Sequence, residues 1–237
     1  MLRTLIWFIY FWLYQLTALG RLKKADRLLA EEKIQERDAF VGPEVQRWAK
    51  GLLKVAGCEV ELIGREHLIE DRPVLYVSNH QGNFDIPILL GHLPGNKGFI
   101  AKDSLEKMPL VSRWMKHIHC VFMNRENLRQ SAAAINEGIR HLKAGYSMVI
   151  FPEGTRSLDG ELGEFKPGAL KLGTKAAAPI IPVTISGSIH MMPKGSLAIK
   201  PAKVKVIIHP AILPENYESK DTVELAEEIK QLIGAAL

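Results

Sequence analysis

Two cysteines in 237 residues are too few for a disulfide framework. Cys58 and Cys120 also lack the paired spacing of a zinc site, so a reduced, cytoplasm-facing environment is expected. No G-x-S-x-G segment occurs, which excludes the serine nucleophile elbow of the α/β-hydrolases. "GEFKPGA" carries two glycines of a P-loop without the Lys-Ser/Thr ending, which speaks against nucleotide binding by that device. Internal repeats and low-complexity linkers are absent. Strong charge of either sign is absent too: charged residues make up 24%, with a net charge of +5. That mild excess suits anionic partners such as nucleic acid, a lipid surface or a phosphorylated substrate, without choosing among them.

Nor is there an apolar run long enough for an ordinary membrane span. In "LRTLIWFIYFWLYQLTALGRLKK" the apolar stretch runs from Thr4 to Leu19. As a helix it reaches roughly 24 Å, against about 30 Å of bilayer hydrocarbon. Trp7, Phe8, Tyr10, Phe11, Trp12 and Tyr14 crowd its middle, Gln15 follows, and Arg21, Lys23, Lys24 and Arg27 flank it. Aromatics with polar tips favour the headgroup boundary, and the basic flank favours anionic lipid. The segment reads as a monotopic anchor in one leaflet. A signal peptide and a tilted span are the alternatives; a buried core helix is disfavoured because the aromatics lie all round the helix. A second helix over about 24–57, broken near Gly42-Pro43, is expected to pack behind it.

From Cys58 onward the pattern is α/β. The runs "CEVELI", "PVLYVS", "KGFIA", "HCVFM", "SMVIFP", "IIPVTIS" and "KVKVIIH" read as strands. Between several lie helical patterns, the clearest placing Leu128, Ala132, Ile135, Ile139 and Leu142 on one stripe, with Gly145 ending it. Asp221 and Glu224 have capping-box spacing at the start of a last helix. The expected architecture is α/β, a central mixed sheet flanked by helices and preceded by an N-terminal helical membrane anchor. The boundary falls between residues 1–57, the anchoring helices, and 58–237, the α/β domain.

The polar clusters fall where strands end, the usual place for chemistry in such sheets. "SNHQGNFDIP" sets His80 and Asp85 five positions apart. On a continuous helix the two would diverge by about 140°, but a turn through Gly82-Asn83 can bring Asp85 to one imidazole nitrogen, fixing the tautomer and freeing the other to take a proton. The competing reading makes Asp85 a helix cap and His80 a loop residue. With no serine evident, a working dyad points to a substrate hydroxyl or water as nucleophile. "FPEGTRS" offers Glu153, Gly154 and Arg156; Lys166, just before Pro167, marks a helix N-terminus suited to anions; Arg125 of "FMNRE" adds a cation. Each of these charges could equally be a solvated surface group. "HIHC", His117 to Cys120, is as well explained by strand alternation as by a metal, so no metal site is expected. His67, His92, His141, His190 and His209 have no spaced partners.

Taken in order, "NHQGNFD", "FMNR", "FPEGTRS" and "IPVTIS" resemble the four-block signature of the glycerolipid acyltransferases, above all bacterial members acting on 1-acylglycerol 3-phosphate. The likeness covers about residues 58–210. It implies that His80 is a general base oriented by Asp85. It also implies a phosphate site of Arg125, Glu153, Gly154, Arg156 and Lys166, with Lys102 of "AKDSL" as an oxyanion or phosphate contact and Pro182 near the acyl substrate. The implied reaction moves a fatty acyl chain from acyl-CoA or acyl carrier protein to lysophosphatidic acid, giving phosphatidic acid without a cofactor. The aromatics and basic flank of the N-terminal segment, and not the resemblance, set the expected location at the cytoplasmic face of a bacterial inner membrane, with membrane lipids and no nucleic acid as partners. A lipid esterase, a non-catalytic lipid-binding protein, and an acyltransferase using glycerol 3-phosphate or another lysophospholipid remain open.

Overall fold

The computed structural model describes residues 1–157, 159–193 and 195–237. Its centre is a seven-stranded sheet: β1 (Cys58–Ile63), β2 (Leu75–Ser78), β3 (Lys97–Lys102), β4 (Val121–Met123), β5 (Ser147–Ile150), β6 (Ile180–Ser186) and β7 (Ala202–Ile208), in the order β1-β7-β6-β2-β5-β3-β4. Only β6 and β7 pair antiparallel, so the sheet is mixed, and each of the seven expected runs forms a strand. Strand β2 is buried along its whole length because both faces are covered.

Alternation along the strands divides the core. Val74, Tyr76, Val149, Ile181 and Val183 face one layer, built from α1 (Leu2–Thr17), α2 (Leu19–Ala30), α3 (Ile34–Ala56) and α4 (Asp85–His92). Leu75, Val77, Met148 and Ile150 face the other, built from α6 (Leu128–Lys143), α7 (Pro167–Ala176) and α9 (Thr222–Gly234). The short helices α5 (Val111–His117) and α8 (Pro214–Tyr217) complete the set. Asp221 caps α9 by accepting from the Val223 and Glu224 amides, both at 2.8 Å.

Three expectations need correction. The break in the second helix lies not at Gly42-Pro43, which α3 carries inside it, but at Glu31–Lys33, where Glu32 adopts φ +57°. That turn folds α2 back so that Leu22, Ala25 and Leu28 are buried. The contact line of α6 is Ala134, Gly138 and Leu142, with Ile135 and Ile139 half-buried, while Leu128 and Ala132 face solvent. The helix comes too close for a row of large side chains: a Cβ on Gly138 would lie 2.4 Å from Leu172 Cδ2.

The third correction concerns α1. Its aromatics do not surround the helix. Trp7 is buried, donates its indole N–H to Leu52 O at 3.1 Å and stacks on Phe11 at 5.5 Å; Phe8, Tyr10 and Phe11 pack against the same core. The exposed face is mainly aliphatic, with Leu2, Leu5, Ile6, Ile9, Leu13 and Leu16 joined by Trp12. Among the described residues no single helix is long and apolar enough to cross a membrane; α1 and α2 reach that standard only as a pair bent by 46°.

Strand β3 is held against the β4 side by a close backbone approach. A Cβ on Gly98 would sit 2.2 Å from the His119 carbonyl oxygen, a neighbour that cannot rotate away. Gly98→Ala should therefore destabilise the fold by about 1–3 kcal/mol, the usual cost of overpacking. Equilibrium urea unfolding measures it, and a variant as stable as the parent would show that β3 and the His119 turn separate freely.

Candidate active site

The chain leaves β2 at Ser78 and is pinned at once. The Asn79 amide donates to Ile185 O and accepts from Ile185 N, both at 2.8 Å, locking this loop to β6. The turn through Gly82-Asn83 then returns the chain, and α4 begins at Asp85 itself, so His80 lies outside the helix. His80 Nδ1 and Asp85 Oδ2 are 2.7 Å apart. The Asp85 carboxylate is fully buried, and Oδ2 also accepts from the Gln81 and Gly82 amides at 2.7 and 2.8 Å. Its other oxygen accepts from the Ser188 hydroxyl. Asp85 thus turns its acceptors back toward the loop rather than capping α4. A carboxylate without protons can only accept, so Nδ1 carries hydrogen, and in the neutral ring that leaves the lone pair on Nε2.

The "FPEGTRS" segment after β5 grips His80 from three sides. The Phe151 ring stacks on the imidazole with centroids 4.0 Å apart. Glu153 Oε1 accepts from the His80 amide at 2.8 Å, and the Ser157 amide donates to the His80 carbonyl at 2.8 Å. The second oxygen of Glu153 accepts from the Gly163 amide at 2.9 Å. Burial pushes the Glu153 carboxyl above its ordinary pKa, with the two backbone donors pulling the other way. Glu153 therefore braces the loop that holds His80 and does not line the cavity beside it.

That cavity has a volume of about 610 Å³ and starts at His80. Lys102, Arg125 and Arg156 line it, so the structure gathers three of the expected cations around one opening. Arg125 donates to the Gly154 carbonyl, and Arg156 donates to Asn83 Oδ1 at 2.8 Å. Beyond the dyad the walls are largely apolar, including Phe99, Trp114 and Ile118, and reach Tyr14, Gln15 and Trp48 on the N-terminal helices.

Three further expected residues do not line the cavity, Gly154 meeting it only through the carbonyl that Arg125 bonds. Lys166 precedes α7 and does not line the cavity; its exposed side chain passes behind Gly154, so that a Cβ there would lie 3.1 Å from Nζ. Pro182 is buried within β6, its carbonyl accepting from the His209 amide at 3.0 Å, and is likewise absent from the cavity wall. In "HIHC", His117 Nε2 meets Asp26 Oδ1 at 2.9 Å and His119 stacks on Tyr146 with centroids 3.6 Å apart. Among the described residues no group of three or more His, Cys, Asp or Glu is arranged to hold a metal.

Sequence reasoning missed Asn79, Gln81 and Ser188. Gln81 Oε1 accepts from the Gly187 amide at 3.0 Å and so carries the Ser188 hydroxyl to Asp85. A signal existed: Gly187-Ser188 follows directly on the strand "IIPVTIS", as the other polar clusters follow theirs.

The chain is similar to known proteins in sequence and in fold. A family model described as "Acyltransferase" matches residues 59–186. A probable 1-acyl-sn-glycerol-3-phosphate acyltransferase of Mycoplasma genitalium is 35% identical over 205 residues, spanning 81% of this chain and 76% of that protein. The Mycoplasma pneumoniae protein of the same description is 34% identical over 197 residues, spanning 78% and 74%. The crystal structure of the 1-acyl-sn-glycerophosphate (LPA) acyltransferase PlsC from Thermotoga maritima superposes with a TM-score of 0.84 at 29% identity, covering 99% of this chain and 95% of that one.

Ser188→Ala leaves one oxygen of a buried carboxylate without its donor. The expected loss of stability is about 1–3 kcal/mol in urea unfolding, with Ser188→Thr, which keeps a hydroxyl, losing much less. Equal losses in the two variants would mean that the hydroxyl is not what holds Asp85.

Proposed function

The chain belongs to the acyltransferase family, and from that premise we infer that it is a 1-acylglycerol-3-phosphate O-acyltransferase of phospholipid biosynthesis. It transfers a fatty acyl chain from a thioester to the sn-2 hydroxyl of lysophosphatidic acid and so forms phosphatidic acid. The observation that carries the reading is His80, oriented by Asp85 at 2.7 Å and opening into a largely apolar cavity with three cations at its mouth.

In the reaction Nε2 of His80 removes the proton from the sn-2 hydroxyl. The oxygen attacks the thioester carbonyl carbon, a tetrahedral intermediate forms, and its collapse breaks the C–S bond. The departing thiolate takes the proton back from the imidazolium. Asp85 holds the ring and offsets its transient positive charge, the role a buried, fully bonded carboxylate performs without itself being protonated. Arg125 and Arg156 face the phosphate of the acceptor, and Lys102 serves the phosphate or the developing oxyanion. The remaining cavity takes the acyl chain. A thioester is already activated, so the chemistry asks for no cofactor, and acyl-CoA or acyl carrier protein can deliver it.

The same reading assigns the chain to the cytoplasmic face of a bacterial inner membrane as a monotopic protein. Support comes from the exposed aliphatic face of α1 and from Arg21, Lys23, Lys24 and Arg27, which follow it in the sequence on α2. Burying that face in one leaflet is favourable by the hydrophobic effect, and the basic residues add attraction to anionic lipid. A lipid substrate can then enter from the side.

Two outcomes are expected. With lysophosphatidic acid and palmitoyl-CoA, purified protein in nanodiscs should release thiol and form phosphatidic acid, and His80→Ala should lower kcat/KM by about 10²–10⁴-fold; thiol release without acceptor would mark a hydrolase instead. The triple variant Leu5→Glu, Ile9→Glu and Leu13→Glu should lose co-sedimentation with anionic vesicles. Undiminished binding would refute the α1 face as the lipid contact.

A further inference from the structure

The cavity is apolar along most of its wall but ends on polar groups. Helix α1 touches the dyad's neighbourhood at Trp7, whose ring lies 5.5 Å from that of Phe84, the residue before Asp85. Tyr14 and Gln15 lie two helical turns further on, about 12 Å along the axis, and line the cavity together with Trp48 of α3. Gln15 is 4% exposed, and among the described residues Tyr14 Oη, Gln15 Oε1 and Trp48 Nε1 are buried with no hydrogen-bond partner. Helix packing alone does not force this, because Trp7, on the same pair of helices, donates its indole N–H to Leu52 O. Glu44, which lines the same stretch of wall, faces Arg21 at 2.9 Å and Arg47 at 2.7 Å, and its Oε2 and the Arg21 Nε are likewise buried without a hydrogen-bond partner.

Buried polar atoms in native proteins are nearly always bonded, so a cluster of orphans along one part of one cavity wall implies a partner that enters it. Arg21 and Glu44 face each other, which leaves Tyr14, Gln15 and Trp48 as the neutral groups to be satisfied. Their chemistry describes that partner. An indole N–H and a phenol O–H donate, and an amide oxygen accepts; a hydroxyl or water oxygen accepts twice and donates once. We propose that the end of the cavity away from His80 is a hydrogen-bonding subsite for an oxygen carried near the ω end of the acyl chain, a hydroxyl foremost, with ordered water filling it when the chain is plain. The proposal rests on the acyl-transfer reading and adds a class of donor to it: ω-oxygenated acyl thioesters.

The test compares lauroyl-, myristoyl- and palmitoyl-CoA with their ω-hydroxy counterparts, using the full-length protein in nanodiscs and lysophosphatidic acid as acceptor. The readout is the ratio of kcat/KM for the hydroxylated donor to that for its plain twin, within each protein. At one or more chain lengths the ratio should reach or exceed one, whereas a dry apolar end would penalise the hydroxyl by about tenfold or more. In Tyr14→Phe and in Gln15→Leu the ratio at that length should fall by about tenfold, and transfer of plain donors reports that each variant is folded. A ratio below one at all three lengths overturns the subsite, as does a ratio unmoved in folded variants. Absence of transfer with every plain donor overturns the acyl-transfer reading itself, and the subsite with it.

Discussion

A carboxylate with no access to water must have its charge spread over donors, or folding would leave it protonated or unfold the site around it. Asp85 is such a group, and much of the architecture can be traced to satisfying it. Its donors come from His80, from the Gln81 and Gly82 amides, and from Ser188. The first three belong to the loop after β2 and the fourth to the loop after β6. The dyad therefore exists only where β2 and β6 lie side by side, and Asn79, bonded twice to Ile185, is the clasp that keeps them so.

The loop after β5 completes the arrangement from the opposite neighbour of β2. Phe151, Glu153 and Ser157 hold the ring, the amide and the carbonyl of His80, which orients the imidazole before any substrate arrives. Catalysis by a general base depends on such prior positioning, since the entropy of orientation is then lost during folding and not during the reaction. The acidic residue of this segment is thereby explained without a ligand. A carboxylate that accepts two backbone amides stabilises the loop, and the charged side chains that line the cavity beside it are those of Arg125, Arg156 and Lys102 with Glu44 and Glu126.

The N-terminal helices are part of the same machinery. Trp7 lies against Phe84 and Phe11 against Trp48, so α1 packs from the neighbourhood of the dyad to the end of the cavity and helps to wall it. Its two faces divide the work: Trp7, Phe8, Tyr10, Phe11, Tyr14 and Gln15 turn inward, where shape and hydrogen bonding matter, and aliphatic side chains with Trp12 turn outward. The exposed face and the cavity wall are thus opposite sides of one helix, which couples any surface that α1 meets to the place where an acyl chain would lie.

The sequence by itself determined the local and the chemical. Each of the seven strands was legible because β-branched runs between turn residues have few other folds open to them, and His80, Asp85 and the "FPEGTRS" segment stood out through their resemblance to the acyltransferase signature, the five-residue spacing alone being a weak signal. Tertiary structure decided everything that depends on which elements become neighbours. The partnership of Ser188 with Asp85 spans 103 positions, the bracing role of Glu153 depends on the β2–β5 pairing, and the inward aromatics of α1 depend on where α3 lies. No local pattern encodes such distances, because strand order is set by the summed burial of both sheet faces and not by any one segment. A charged residue therefore reads alike in the sequence whether it will meet a substrate, as the position of Arg156 allows, or a backbone amide, as Glu153 does.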